Sequence, residues 1–257
     1  KQKTAYEISL GLVGSEMCIR DSIIPSYNEA NRIENTLKTV RNYLAKVNWK
    51  TEVIVVDDGS QDGTTARVTD FMEDWESLLL VKYPKNCGKG FSVKNGILHA
   101  SGRVVLFTDA DLSTPVEEIP KLIEPIIRNE SDLTFGSRAL DRSLIGVHQS
   151  LTREFSGRIF NWLVQMLIGL PFKDTQCGFK AFRRQAIMPF IGQQRIRGFG
   201  FDPEILFLAK INGLRLQEIP IRWNHHEGTK VRFFQDSLKM FLGLIQIRLN
   251  QLFGRYS

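Results

Sequence analysis

Along the chain, short runs of continuous apolar residues alternate with longer stretches in which apolar positions recur every three or four residues. The runs Val53-Ile54-Val55-Val56 and Val104-Val105-Leu106-Phe107 have no polar alternation and read as strands buried on both faces, as in a parallel sheet. Between them, residues 31–46 place Ile33, Leu37, Val40 and Leu44 on one helical face. The same alternation predicts a short strand reaching Pro25, helices over 63–75, 88–100 and 116–128, and strands over 78–83 and 133–136. Past residue 150 the texture changes. Residues 151–170 gather Phe155, Ile159, Trp162, Leu163, Met166 and Leu167 on one side, with Arg153, Arg158 and Asn161 elsewhere, and so predict an amphipathic helix rather than a crossover. A loop from Lys173 to Lys180, a strand near Phe182, a helix over 203–211, a strand over 216–221 and a second amphipathic helix over 233–253 complete the pattern. The sum is an α/β chain with a mostly parallel, Rossmann-like central sheet, flanking helices and C-terminal amphipathic helices.

The opening of the chain departs from this pattern. Residues 6–22 carry Gly-Ser-Glu and Arg-Asp where the apolar residues of a first strand belong, and 7–21 resemble translated adapter sequence. Residues 1–21 are therefore expected to be foreign, with the native start and any signal or anchor helix lost, and 22–257 to form one domain. With 257 residues, 42% of them hydrophobic, the chain suffices for a full core. Its net charge of +6 suits an anionic partner: nucleic acid, a phosphorylated substrate or a membrane surface. No recognition-helix or aromatic-platform signature is present, which sets nucleic acid aside. Cys18, Cys87 and Cys177 have neither metal spacing nor an even count, so no disulfide is expected. The stretch 162–172 is too short and too broken to span a bilayer, which takes roughly 20 residues.

The candidate chemistry lies where the apolar runs stop. One ends in Asp57-Asp58-Gly59-Ser60, the other in Asp109-Ala110-Asp111. Ligands of open α/β sheets bind beyond the carboxyl ends of the strands. Acids often punctuate turns, but two such clusters at one edge call for a cation or many hydrogen-bond donors.

Together, Ile23-Ile24-Pro25-Ser26-Tyr27-Asn28-Glu29, Val55-Val56-Asp57-Asp58-Gly59-Ser60, Asn86-Cys87-Gly88-Lys89-Gly90 and Thr108-Asp109-Ala110-Asp111 resemble, in order and spacing, the family-2 glycosyltransferases of GT-A fold. Asp174-Thr175-Gln176-Cys177-Gly178-Phe179-Lys180, Gly200-Phe201-Asp202-Pro203-Glu204 and the stretch from Trp223 to Lys230 resemble the dolichyl-phosphate glucosyltransferase and dolichol-phosphate mannose synthase branch. The resemblance implies a nucleotide-diphospho-sugar transferase using Mg²⁺ or Mn²⁺, with Asp111 binding the metal most directly and Asp109 sharing it and the ribose side. For both to reach the site, the chain is expected to bend at Thr108 or just after. Pro25, Tyr27, Glu29, Asp57, Asp58, Lys89, Asp109 and Ala110 are the expected donor-binding positions; carboxylates suit base N–H groups and ribose hydroxyls, and glycines beside Lys89 let it approach phosphates.

The implied acceptor is a dolichyl or polyprenyl phosphate, for which Arg138, Arg153, Lys180 and Lys230 are the expected cations. Asp111, Arg138 and Asp202 are the expected catalytic residues, Asp202 or Glu204 serving as base if the acceptor were a hydroxyl. Ser113 and the later motifs favour UDP-glucose over GDP-mannose. His225 and His226 read as loop residues rather than ligands. The two amphipathic helices, with Lys239, Arg248 and Arg255 in or just after the second, suit a headgroup layer, and the site is expected at the cytoplasmic face of a membrane, peripheral or with a lost anchor. Other readings stay open: mannosyl transfer, transfer to a carbohydrate hydroxyl, an aspartyl-phosphate phosphatase using the Asp109-Ala110-Asp111 motif, or a catalytically silent sugar-nucleotide binding protein.

Overall fold

A computed structural model describes residues 19–47, 49–147, 149–225 and 233–256. Seven strands form one sheet: β1 (Ile19–Ser26), β2 (Lys50–Asp57), β3 (Leu78–Lys82), β4 (Val104–Thr108), β5 (Leu133–Ser137), β7 (Phe179–Arg183) and β8 (Leu216–Pro220). Their order is β3-β2-β1-β4-β7-β5-β8, and β7 alone runs against its neighbours. Two short strands, β6 (Ile145–Val147) and β9 (Trp223–Asn224), pair in a separate ribbon.

The sheet is the middle layer of three. Alternate residues of each strand feed opposite cores: Ile23, Ile54, Val56 and Phe107 pack on one side with Val93, Ile97, Phe201 and Ile205, and Ile24, Val53, Val55 and Leu106 on the other with Ile33, Leu37, Val68 and Leu122. The second group belongs to α1 (Ile33–Leu44), α2 (Thr64–Met72) and α4 (Ile119–Ile127); the first draws on α3 (Lys89–His99), α5 (Leu151–Ile168), α6 (Arg184–Ile191), α7 (Phe201–Ile211) and α8 (Phe233–Leu252). The expected elements are present within a few residues of their bounds. Helix α6 and the β6–β9 ribbon went unforeseen, because eight residues broken by Pro189 carry little periodicity and the ribbon joins strands far apart in sequence.

Strand β1 crosses the expected boundary at residue 21. Backbone hydrogen bonds hold a ladder whatever the side chains, so Arg20 and Asp21 take central positions, opposite Thr51 and Glu52 on β2 and opposite Val104 and Val105 on β4. Asp21 is wholly buried, with its Oδ2 accepting from Ser101 N (2.6 Å) and Gly102 N (2.8 Å). Burial pushes its carboxyl above the ordinary value, against the pull of those two N–H groups.

Candidate active site

In register, Ser26 of β1 stands opposite Asp57 of β2, and Ile23 opposite Phe107 of β4, so β1, β2 and β4 deliver their following loops to one edge of the sheet. The first two loops are stitched together. Asn28 N donates to Ser60 Oγ (2.9 Å), Gln61 N to Asn28 Oδ1 (2.8 Å), Glu29 N to Thr64 Oγ1 (2.7 Å) and Ala30 N to Asp62 Oδ2 (3.0 Å). Pro25, Tyr27 and Glu29 sit half-buried along this seam, Glu29 paired with Arg32 at 2.9 Å. Asp57, wholly buried, accepts from Ser60 N (2.9 Å) and from the Thr65 hydroxyl.

Asp58 has a different task. Its oxygens accept from Cys87 N (2.8 Å) and Gly88 N (2.7 Å), so it fixes the turn that opens α3. Burial raises its carboxyl above the usual range, against those two N–H groups. Gly88 adopts φ 106°, and a side chain there would collide with the carbonyl of Arg197. Lys89 follows, its Nζ 2.6 Å from Asp109 Oδ1. Burial works against the Lys89 charge, but Asp109, Asp202 and Asp111 outweigh it and lift the ammonium above the ordinary lysine value.

Beyond Thr108 the chain turns, as expected. Leu112 N donates to Asp109 O (3.1 Å), Leu112 takes φ 47°, and Ser113 N donates to Asp111 Oδ1 (2.9 Å). Burial pushes the Asp109 carboxyl up against the pull of Lys89. Gly178 lies so close that a methyl group there would overlap the Asp109 carboxylate, which accounts for a glycine just before β7. Ala110 departs from expectation: its side chain is in the core and its carbonyl accepts from Thr36 Oγ1 at 2.5 Å, so neither faces a donor.

Arg138, just past β5, is gripped by Asp174 through Nε (2.7 Å), Nη2 (2.9 Å) and its own backbone N (3.0 Å), with its guanidinium 5.4 Å from the Trp223 ring. Burial opposes the Arg138 charge, but Asp174 more than restores it, and Asp109 is near enough to add to the effect. The structure therefore brings Lys89, Asp109, Asp111 and Arg138 around one space. Asp174, which positions Arg138, was legible only as a member of its motif.

Three expectations are corrected. Lys180 is wholly buried, its Nζ 2.5 Å from both Cys177 O and Asp202 Oδ1, so it neutralises Asp202 inside the protein rather than meeting an acceptor phosphate. Asp202, itself buried, has its Oδ1 committed to that ammonium and is not offered to an acceptor hydroxyl. Glu204 accepts from Arg195 N, Ile196 N and the Tyr256 hydroxyl deep between α7 and the end of the chain. Arg153 stands half-buried in the first turn of α5, with no side-chain bond among the described residues. Lys230 and His226 lie outside the described residues. The thiol of Cys177 is pushed up to about 12 by burial, which leaves it un-ionised at neutral pH.

Residues 21–189, more than half of the chain, match the model of the family described as Glycosyl transferase family 2. The chain belongs to glycosyl transferase family 2. Within this family it is 36% identical over 251 residues to the dolichyl-phosphate beta-glucosyltransferase of Saccharomyces cerevisiae, covering 91% of this chain and 75% of that one. Against the Homo sapiens protein of the same description it is 32% identical over 247 residues, covering 91% and 76%. It is thus a glycosyltransferase of that branch. Its fold is that of Mycobacterium tuberculosis glucosyl-3-phosphoglycerate synthase, solved in complex with Mn²⁺, UDP-glucose and glycerol 3-phosphate: TM-score 0.65, 18% identity, 96% of this chain and 85% of that one. In this family-2 chain the oxygen-only pair Asp109 and Asp111 has the donor chemistry that suits a hard divalent cation.

The family-2 domain also carries an apolar surface. On α5, Phe155 (65% exposed), Ile159, Trp162 (56%) and Met166 stand in solvent, as do Leu238, Leu242, Leu249 and Leu252 on α8 and Phe253 just after it. The same helices bury Val164, Ile168, Leu244 and Ile247 in the core, so each has two apolar faces, of which the described residues cover only one. Among the described residues, no helix is long and apolar enough to cross a membrane.

Proposed function

We propose that this glycosyltransferase moves glucose from UDP-glucose to the phosphate of dolichol or a related polyprenyl lipid, with inversion at the anomeric carbon, in a reaction dependent on Mg²⁺ or Mn²⁺. The observation that carries this reading is the state of the carboxylates. Asp109 faces Lys89, Asp202 faces Lys180, Asp174 faces Arg138, and Asp57 and Asp58 are occupied by hydroxyl and backbone donors. A hydroxyl acceptor needs an uncommitted base. A lipid phosphate is already an anionic nucleophile and needs instead a cation beside the anomeric carbon, a role that suits Arg138, held by Asp174, with Arg153 nearby in chain order. The names of the curated relatives support both the sugar and the acceptor.

In this reading a phosphate oxygen of the lipid forms the new bond to the anomeric carbon as the bond to UDP breaks. The electron pair leaves on the UDP diphosphate, and no proton has to be removed. Pro25, Tyr27 and Glu29 line the nucleoside, and Asp57, buried and bonded through both oxygens rather than open to the base as expected, ties down the 60–65 loop behind them. Asp58 fixes the turn that presents Lys89, and Lys89 pairs with the departing diphosphate. Asp109 and Asp111 would hold the divalent cation, which supplies further positive charge to that leaving group. The exposed apolar side chains of α5 and α8, with Arg158, Lys239, Arg248 and Arg255 among or beside them, suit a headgroup layer where the lipid acceptor resides, and the reading puts the site on its cytoplasmic side.

The test is transfer of labelled sugar from UDP-glucose and, separately, GDP-mannose to dolichyl phosphate with Mg²⁺ or Mn²⁺. Glycolipid formed from UDP-glucose and lost in Asp111→Asn is the expected result. A folded protein that makes no glycolipid yet slowly hydrolyses the donor would reassign the acceptor to a hydroxyl.

A further inference from the structure

Glu204 is a fully buried acid that the proposed reaction does not use. Burying a carboxylate is costly unless donors meet it, and here three do. Oε1 accepts from the Tyr256 hydroxyl (2.6 Å) and Arg195 N (3.0 Å), and Oε2 from Ile196 N (2.7 Å). One carboxylate therefore joins the strap at residues 194–197 to the far end of the chain. Tyr256 is itself held there: Asn250 of α8 donates to its hydroxyl (3.2 Å), its ring packs on Phe207 at 6.1 Å, and Arg195 Nη2 reaches Arg255 O (3.4 Å).

The other side of the strap rests on the start of α3. Phe91 N donates to Arg197 O (3.1 Å), Gln194 Nε2 donates to Gly90 O (2.9 Å), and Lys94 Nζ donates to Gly192 O (2.7 Å) and Gln194 O (3.0 Å). The carbonyl of Arg197 is the group that leaves Gly88 no room for a side chain. The strap is thus clamped between Glu204 with Tyr256 on one side and the Gly88-Lys89-Gly90 turn on the other. A hydrogen bond to a charged, buried acceptor is among the stronger ones available.

We infer that Glu204 and Tyr256 are positioning residues for the donor diphosphate, bracing through the 194–197 strap the turn that presents Lys89, so that the C-terminal helix sets donor affinity. The inference rests on the reading of Lys89 as a diphosphate ligand. It also gives the solvent-facing helix α8 a route to the donor site: whatever seats α8 bears on Asn250, Tyr256, Glu204 and, through them, the turn.

The test compares wild type, Tyr256→Phe, Glu204→Gln and the core variant Ile126→Val from the opposite face of the sheet. Donor binding is read by titration calorimetry with UDP-glucose, and KM and kcat with a short-chain, water-soluble polyprenyl phosphate. Tyr256→Phe, which keeps the ring and loses the hydroxyl, is expected to weaken donor binding about five- to tenfold, with kcat at saturating donor within about twofold and acceptor KM unchanged. Glu204→Gln is expected to do more, and Ile126→Val to lower the melting temperature without moving donor KM. A Tyr256→Phe protein that binds UDP-glucose as wild type does, or an Ile126→Val protein with the same donor defect, would overturn the inference and leave the proposed function standing. Wild type that binds neither UDP-glucose nor GDP-mannose would overturn the reading of the Lys89 turn itself.

Discussion

Where β1 and β2 end, short side chains and backbone N–H groups tie residues 28–30 to 60–64, and nearly every polar group at the seam meets another from the same protein. Where α5 and α8 face outward, large apolar side chains such as Phe155, Trp162 and Leu252 stand in water. The first region is complete in itself, and the second leaves a large apolar surface exposed. The difference follows from what each side is proposed to meet. A soluble sugar nucleotide is best received by a cradle already ordered at folding, so that little conformational entropy is lost on binding. A lipid acceptor arrives with its own apolar phase, and the protein has only to present a matching surface.

The largest predicted effect lies on the donor side. Asp111→Asn is expected to lower kcat for labelled glucose transfer about a thousandfold while leaving the circular dichroism and melting temperature unchanged, because among the described residues the half-buried side chain bonds only within its own turn, to Ser113 N. Activity retained within tenfold would erase the metal from the donor half. Next is Arg138→Lys, which keeps the charge but loses the two-pronged grip of Asp174; turnover of the phosphate acceptor should fall about a hundredfold with donor KM unchanged. A defect in donor KM instead would move Arg138 across the comparison to the nucleotide side.

The outward helices give a smaller, conditional effect. Phe155→Ser with Trp162→Ser is expected to cut binding to vesicles containing acidic lipid about tenfold, and transfer to vesicle-embedded dolichyl phosphate in proportion. Transfer to a water-soluble short-chain acceptor should be unaffected. Equal loss on both acceptors would show that these side chains serve the fold and not a surface.

The smallest effect concerns β1. Asp21→Asn retains an acceptor for Ser101 N and Gly102 N and removes a buried charge. Because burial raises the folded-state pKa of Asp21 above its unfolded value, the neutral carboxyl fits the native state at low pH, and that advantage is lost as pH rises through the folded pKa. The Asn variant should therefore match wild type near pH 4 and exceed it by about 1 kcal/mol near pH 8, measured by urea denaturation. A constant difference across pH would mean that the site is not desolvated.

The alternation of strands and helices was legible throughout, because residues buried on both faces of a parallel strand leave an unbroken apolar run and helices leave a period near 3.6. The ends of the strands were legible too: Asp57, Asp109 and Asp111 stop apolar runs where an open sheet binds ligands. Helix α6 left no such trace, and neither did the division of labour among like charges. Lys89 and Lys180 both stand beside glycine-containing motifs, yet one lines the site and the other is entombed with Asp202. Asp202 and Glu204 are two residues apart in one helix, yet one neutralises a lysine and the other ties a strap to the chain's end.

The sequence by itself determined the family, the α/β class and the sheet edge at which the acids gather, because these follow from local periodicity and from residue types at strand ends. Only the tertiary structure decided which acid each cation holds and which of those pairs are sealed in the core. Ion pairing in a protein interior is set by distances of a few ångströms between residues remote in sequence, such as Lys180 and Asp202 or Arg138 and Asp174, and no spacing along the chain encodes them.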